Sequence, residues 1–224
     1  MVSAYKEDSL GQDDALGIAE KIKSGTLDVK TVTEDSIARA KSVNQDLNAI
    51  VAEDFDSALN RSQGTFSGMF NGVPTFIKDT DEVQGLPLFL GSSTLPGEKS
   101  TKTSRAAQQI LDTGLNCLGT TTTPEFGLTG TTESNRFGST CNPWNTAYST
   151  GGSSGGSSAL VAAGVIPIAH ANDGAGSIRI PASCCGLVGM KASRGRIKDK
   201  EVPGYLPANI LHDGVVTRTV RDTW

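Results

Sequence analysis

STGGSSGGSSALVAA, residues 149–163, is the stretch on which the reading of the whole chain turns. Its first ten residues have the composition of a flexible spacer, Gly and Ser with nothing apolar. The flank does not fit a spacer. Ala159-Leu160-Val161-Ala162-Ala163 follows at once, apolar, uncharged and rich in helix formers. The stretch is either a joint between parts or the working part of a folded core, and its neighbours decide between them.

Downstream, Val165-Ile166-Pro167-Ile168-Ala169-His170 is a short strand candidate directly after a helix at Ser157–Ala163. Upstream, Leu115–Gly119 and Gly72–Asp79 are two more brief β-type runs, with a helix over Ser104–Thr113 between them, and Cys185–Lys191 is a further strand candidate. Toward the N-terminus, apolar residues at helical spacing predict a helix over 13–24, capped by Asp13 or Asp14 and ended by Gly25. A second helix is predicted from Thr31 to Val43 with Asn44 as its stop, then a strand at Leu47–Val51 and a helix around Phe55–Arg61. Short strands alternating with helices predict an α/β fold, a mixed central β-sheet flanked by helices. The chain reads as a single domain, 1–224: a helical N-terminal segment, 1–62, attached to a core, 63–224.

The 224 residues suffice to bury a core, and 37% hydrophobic with 20% charged residues suits a globular protein. A net charge of −4 disfavours nucleic acid as a partner, since that footprint is basic. No 18-residue apolar run predicts a membrane span, and the first residues lack a signal-peptide pattern, so the expected location is cytoplasmic. Cys117, Cys141, Cys184 and Cys185 form no CxxC, and His170 and His212 are the sole imidazoles. These spacings predict no metal site, only buried or half-buried free thiols, and no cofactor is expected.

Chemically, the Gly/Ser segment is not a phosphate cradle. No Lys occurs between Lys102 and Lys191, so there is no P-loop, and no dinucleotide fingerprint follows a strand here. A second Gly-rich turn, Asn172-Asp173-Gly174-Ala175-Gly176-Ser177-Ile178-Arg179, leaves backbone N–H groups open beside a Ser. That is what an oxyanion hole requires. A Ser nucleophile needs a base, and no GxSxG elbow frames either His. A Lys serves when burial lowers its pKa. Lys78, at the end of an apolar strand, has the right address.

Taken together, GVPTFIKD (72–79), PEFGLTGTTESNRFGSTCNPWN (124–145), GGSSGGSSALVAAG (151–164) and NDGAGSIRIPASCCGLVGMK (172–191) resemble the amidase signature family. The leading helices and VTRTVRDT (216–223) are similar too. The resemblance implies hydrolysis of carboxylic amides through a Ser-cisSer-Lys triad. Ser177 would be the nucleophile, Ser153 the serine after a cis peptide bond, and Lys78 the base. The N–H groups of Gly174, Ala175 and Gly176 would hold the oxyanion, with Ser154, Asp173 and Arg179 supporting the loops. Substrates would be small linear, aryl or cyclic amides. The competing expectation is an inactive amidase fragment that binds or assembles with a partner.

Ala175 stands where the family usually has Gly. Together with AHAND (169–173) and RGRI (194–197), it resembles the branch containing 6-aminohexanoate cyclic-dimer hydrolase. Ile178-Arg179-Ile180-Pro181 replaces the IRQP typical of tRNA-dependent amidotransferases. Family members extend well past this chain's end, so the chain reads as an N-terminal portion with an incomplete sheet. Such a sheet predicts a homodimer, or association with a C-terminal portion. Lesser readings make His170 a satisfied core histidine and Arg179 half of an ion pair. Trp144 and Phe126 are expected to be packing residues, and Thr129–Thr132 to be pocket wall or turn.

Overall fold

The computed structural model describes residues 1–193, 196–197 and 210–224. Arg194 and Gly195 of the RGRI motif therefore lie outside the described residues. Helix α1, Ala15–Lys23, starts where Asp14 accepts the Gly17 N–H, so Asp14 rather than Asp13 is the cap. Helix α2, Val29–Leu47, is longer than its sequence signals suggest. Asn44 does not stop it. Its side-chain carbonyl instead accepts the N–H groups of Ala49 and Ile50, while Asn48, at φ 50°, makes the left-handed turn that ends the helix. Strand β1, Ile50–Glu53, and helix α3, Phe55–Ser62, follow.

Strand β2, Pro74–Lys78, is buried at every position. After it come helix α4, Arg105–Leu111, capped by Ser104, and strand β3, Asn116–Thr121. Two small antiparallel ladders, β4 (Glu133–Ser134) with β5 (Gly138–Ser139) and β6 (Cys141–Asn142) with β7 (Asn145–Ser149), lead to the Gly/Ser segment. Helix α5, Gly155–Ala162, begins inside that segment, two residues earlier than predicted. Strand β8 is Ile168–Asp173. It starts after Pro167, which has no N–H to give a ladder, so the predicted strand over 165–170 is shifted along the chain. Helix α6 covers Arg179–Cys185, and only Val188–Gly189 of the predicted 185–191 strand forms β9. Strand β10, His212–Thr217, and helix α7, Val220–Thr223, complete the described elements.

The strands are mixed, as an α/β fold with both senses of pairing predicts. β3 lies between β1, antiparallel, and β2, parallel; β10 lies between β8 and β9, antiparallel to both. β2 runs beside β8, and Thr75 Oγ1 donates to the Ile168 carbonyl across the seam at 3.0 Å. Helix α5 packs over this seam with every residue but Ala162 buried. Leu160 and Val161 join Phe76, Leu118, Ala169 and Val216 in one apolar cluster with α2 and α3. The N-terminal helices are fastened to that layer by polar contacts as well. Ser36 Oγ donates to the Val165 carbonyl, and the buried Arg39 guanidinium bonds Gly164 O and Asp8.

The two Gly-rich turns are thus brought to one end of the layer. Their glycines are structural. A Cβ on Gly155 would sit 2.2 Å from Thr132 Oγ1, and one on Gly156 2.5 Å from the Thr122 nitrogen. Only a residue without a side chain lets α5 start so close to β3 and the 129–132 loop. The spacer reading of 149–158 ends here, because residues 150–158 are buried throughout.

Candidate active site

Lys78 ends β2 with a side chain that is 0% exposed. Its Nζ lies 2.7 Å from Ser153 Oγ, 2.9 Å from Ser154 Oγ and 2.7 Å from Asn172 Oδ1. Three elements meet there: the end of β2, the turn before α5 and the end of β8. The peptide bond between Gly152 and Ser153 is cis. Gly151, at φ +71°, turns the chain into it. Thr132 Oγ1 then braces the turn, donating to Gly151 O at 2.9 Å and accepting the Gly155 N–H at 3.0 Å. Of the 129–132 run, Thr129 lines the cavity and Thr132 closes the turn.

Ser154 ties the two Gly-rich turns together. Its N–H donates to the Ser177 carbonyl at 3.2 Å, and its hydroxyl to the Asn172 carbonyl at 3.3 Å. Ser177 is half-buried. It shares with Ser153, Asn172, Gly174 and Ala175 the wall of a cavity of about 350 Å³. Among the described residues no hydrogen bond joins the hydroxyls of Ser177 and Ser153. Leu90, Phe126, Leu128, Ile180, Ile210 and Leu211 supply its apolar part, and no described lining residue is charged. Phe126 therefore departs from its expected packing role: it is 46% exposed and faces the cavity rim at φ 53°. Trp144 is also more than half exposed, held by its ring N–H on the Cys185 carbonyl.

Asp173 organises the second turn. It accepts the N–H of Gly176 at 2.7 Å and of Ile178 at 3.2 Å, and pairs with Arg179 through Nε and Nη2. Burial alone would raise this carboxyl; the Arg179 guanidinium and the Gly176 and Ile178 N–H groups outweigh it and hold it at about 2. Arg179 is thus an ion-pair partner. The Gly176 N–H is committed to Asp173, whereas the N–H groups of Gly174, Ala175 and Ser177 have no hydrogen-bond partner among the described residues.

Two residues at the site escaped sequence reasoning. Asn172 takes one Lys78 hydrogen and donates through Nδ2 to Thr80 Oγ1 at 2.6 Å. Its signal was its place, one residue before Asp173 on the strand beside β2. Asp79 follows Lys78 and accepts the N–H groups of Phe89 and Gly91, fixing the loop that presents Leu90. Burial pushes its carboxyl up to about 6 against those bonds and the Arg136 charge.

His170 is fully buried, as expected of a satisfied core histidine. With Asp81 and Asp213 it forms a close buried grouping, a ring nitrogen and one oxygen of each carboxylate lying within 4.8 Å of one another. Its Nδ1 already accepts the Lys78 N–H, and Nε2 meets Asp213 Oδ1 at 3.1 Å. Of the thiols, Cys117 and Cys185 are buried and raised by that burial, to about 11 and about 12. Cys184 is exposed, against expectation. No helix of the described residues is long and apolar enough to cross a membrane.

A buried Lys–Ser pair thus lies beside a second Ser and N–H groups that have no partner among the described residues, and the sequence comparison assigns the chain to a family. It matches the Amidase family over residues 31–224 and belongs to that family. "Putative amidase AmiC" of Mycobacterium tuberculosis is 48% identical across 99% of this chain and 47% of that protein. The 6-aminohexanoate-cyclic-dimer hydrolase of Paenarthrobacter ureafaciens is 42% identical across 93% of this chain and 43% of its own. The chain spans about half the length of these relatives. In three dimensions, 6-aminohexanoate cyclic dimer hydrolase complexed with substrate superposes with TM-score 0.86 at 40% identity, over 94% of this chain and 45% of that one. A bacterial aryl acylamidase of the amidase signature family gives TM-score 0.86 at 36% identity, over 94% and 46%.

Proposed function

We propose that this chain carries the nucleophilic machinery of an amide hydrolase, with Ser177 as nucleophile, Ser153 as relay and Lys78 as base. The observation that carries the reading is the Lys78 Nζ–Ser153 Oγ distance of 2.7 Å beside a cavity that Ser177 also lines. Ser177 Oγ attacks the amide carbonyl carbon and gives its proton to Ser153 Oγ, whose own proton passes to Lys78 Nζ. The tetrahedral oxyanion takes hydrogen bonds from the free N–H groups of Gly174, Ala175 and Ser177. Gly176, bound to Asp173, shapes the turn instead. The C–N bond then breaks, and the departing amine receives the proton by the reverse path. Water hydrolyses the Ser177 ester by the same relay, releasing a carboxylic acid and restoring Ser177.

The missing Ser153–Ser177 hydrogen bond fits a relay that closes only with substrate in place, since catalytic contacts often tighten on binding. The described part of the wall, uncharged and largely apolar, supports neutral linear, aryl or cyclic amides. Two of the similar proteins are named a cyclic-dimer hydrolase and an aryl acylamidase.

The test is covalent labelling by a fluorophosphonate, located by peptide mass spectrometry, alongside release of amine from a neutral aryl amide. Labelling at Ser177, lost in Ser177→Ala and slowed at least about 100-fold in Lys78→Ala, is expected. Turnover that survives Ser177→Ala overturns the assignment. A wild-type chain that neither labels nor turns over favours a binding or assembly role instead.

A further inference from the structure

β2 and β8 run side by side without a backbone ladder between them among the described residues. Side chains close the seam instead. Thr75 reaches across near the start of β2, and at its end the backbone N–H of Lys78 donates to Nδ1 of His170 at 3.1 Å. The imidazole occupies the place that a strand carbonyl would take. Its own backbone is pinned on both sides: the His170 carbonyl accepts Ser157 Oγ at 2.7 Å, and His170 sits opposite Val215 in the β8–β10 ladder.

A ring nitrogen that accepts carries no proton, so the ring's proton belongs on Nε2. Two carboxylates near the ring agree. Asp213 Oδ1 lies 3.1 Å and Asp81 Oδ2 3.9 Å from Nε2, while the group facing Nδ1 is the Lys78 N–H donor. Asp213, in β10, has its other carboxylate oxygen unpaired and is 1% exposed. It can therefore serve as a fixed acceptor that selects the tautomer.

We infer that His170, oriented by Asp213, is a positioning residue for Lys78: it fixes the backbone from which Nζ reaches Ser153, Ser154 and Asn172. The inference rests on the amidase reading above only for its consequence in rate; the tautomer and the seam stand independently. Three targets must be met at once by one flexible side chain, so its anchor matters. A displacement of about 1 Å at such a point can cost on the order of 100-fold in rate.

Asparagine and glutamine separate the two ends of the ring. Asn places a carbonyl oxygen where Nδ1 was and keeps the Lys78 contact; Gln places its amide where Nε2 was and keeps Asp213 alone. The experiment compares fluorophosphonate labelling of wild type, His170→Asn, His170→Gln and His170→Leu across pH 5–9, with melting temperatures alongside. The expected order is Asn within about threefold of wild type, and Gln and Leu slower by at least about tenfold in the maximal rate with reagent affinity unchanged. The acid limb of the profile should move in Gln and Leu but not in Asn. Gln labelling like wild type, or Asn and Gln falling together in step with their melting temperatures, overturns the inference. Failure of the wild type to label strikes the Ser177 reading instead. Ring ¹⁵N spectra of the wild-type protein then still decide, as they do if the variants do not fold. A bare Nδ1 coupled to the Lys78 amide is expected, and a protonated Nδ1 refutes it.

Discussion

Replacing Asp173 by Asn tests whether charge, and not shape alone, holds the turn that carries Ser177. The two side chains are nearly isosteric, but Asn cannot accept from both sides or balance Arg179. In the folded protein burial would raise Asp173, and the Arg179 pair and backbone donors bring it instead from 3.8 to about 2. That difference corresponds to about 2.4 kcal/mol in favour of the ionised form, at about 1.36 kcal/mol per tenfold. Asp173 is buried but the Arg179 side chain is 51% exposed, so solvent screening reduces the useful part to about 1–2 kcal/mol. For a chain of this length that is a melting-point drop of about 3–6 °C.

The sign of the pH dependence is fixed. A carboxyl held below its unfolded value contributes stability that is complete above about pH 4 and disappears as pH falls toward 2. Urea unfolding of wild type and Asp173→Asn from pH 2.5 to 7.5 should therefore give a free-energy gap that is constant above pH 5 and closes steadily below pH 4. Asp14, also held at about 2 by Arg221, titrates in the same range, but it is common to both proteins and cancels in the difference. The variant should also label more slowly with fluorophosphonate, because the Gly176 and Ile178 N–H groups lose their common anchor. A gap that stays the same down to pH 2.5 would show that packing, not charge, is responsible.

Asp79 gives the opposite slope. Burial holds it at about 6 in the folded chain, so the folded state keeps a proton that the unfolded one releases, and stability falls by about 3 kcal/mol as pH rises from about 4 to 6. Asp79→Asn should flatten that fall in urea midpoints taken between pH 4 and 7.5, and equal slopes in the two proteins refute the argument. Gly156→Ala puts a methyl 2.5 Å from the Thr122 nitrogen and 2.7 Å from the Ala49 carbonyl, both backbone atoms that cannot swing away. It should cost about 1–3 kcal/mol. Gly130→Ala, with nothing within 4 Å, should stay within about 0.5 kcal/mol, and equal melting points for the two variants would disprove the packing account.

What could be read from the chain in advance follows from how local each signal is. Helix ends at Asp14 and Ser104 depend on a side chain three residues from its target, and they were legible. Helix α6 was not. Its N-cap is Ile178, whose side chain cannot cap, and Pro181 falls in the first turn, where a missing N–H is tolerated. β10 carries an Asp213-Gly214 pair that signals a turn, yet Gly214 pairs with Ala171 in the β8–β10 ladder. For β10 the deciding partner, β8, is distant in sequence. The chemistry divides the same way. Lys78, Ser153 and Ser177 could be named because their motifs are long and ordered. Asn172 and the Asp213–His170 support could not, because each owes its role to a strand brought alongside from elsewhere, and Asp79 could not because its partners, Phe89 and Gly91, sit in an irregular loop ten and twelve residues on.

The Gly/Ser segment is the sharpest case of that division. Composition assigns flexibility to glycine because the isolated residue loses most freedom on folding. The same missing Cβ is what allows Thr132, Thr150 and Thr122 to approach within 2.2–2.4 Å of where one would stand. The property that makes a lone spacer loose therefore makes this stretch tight, once a helix on one side and three threonines on the other close upon it. Ser153 lies in the turn between Gly151 and Gly155, both bonded by Thr132 Oγ1, while Lys78 Nζ holds its hydroxyl at 2.7 Å.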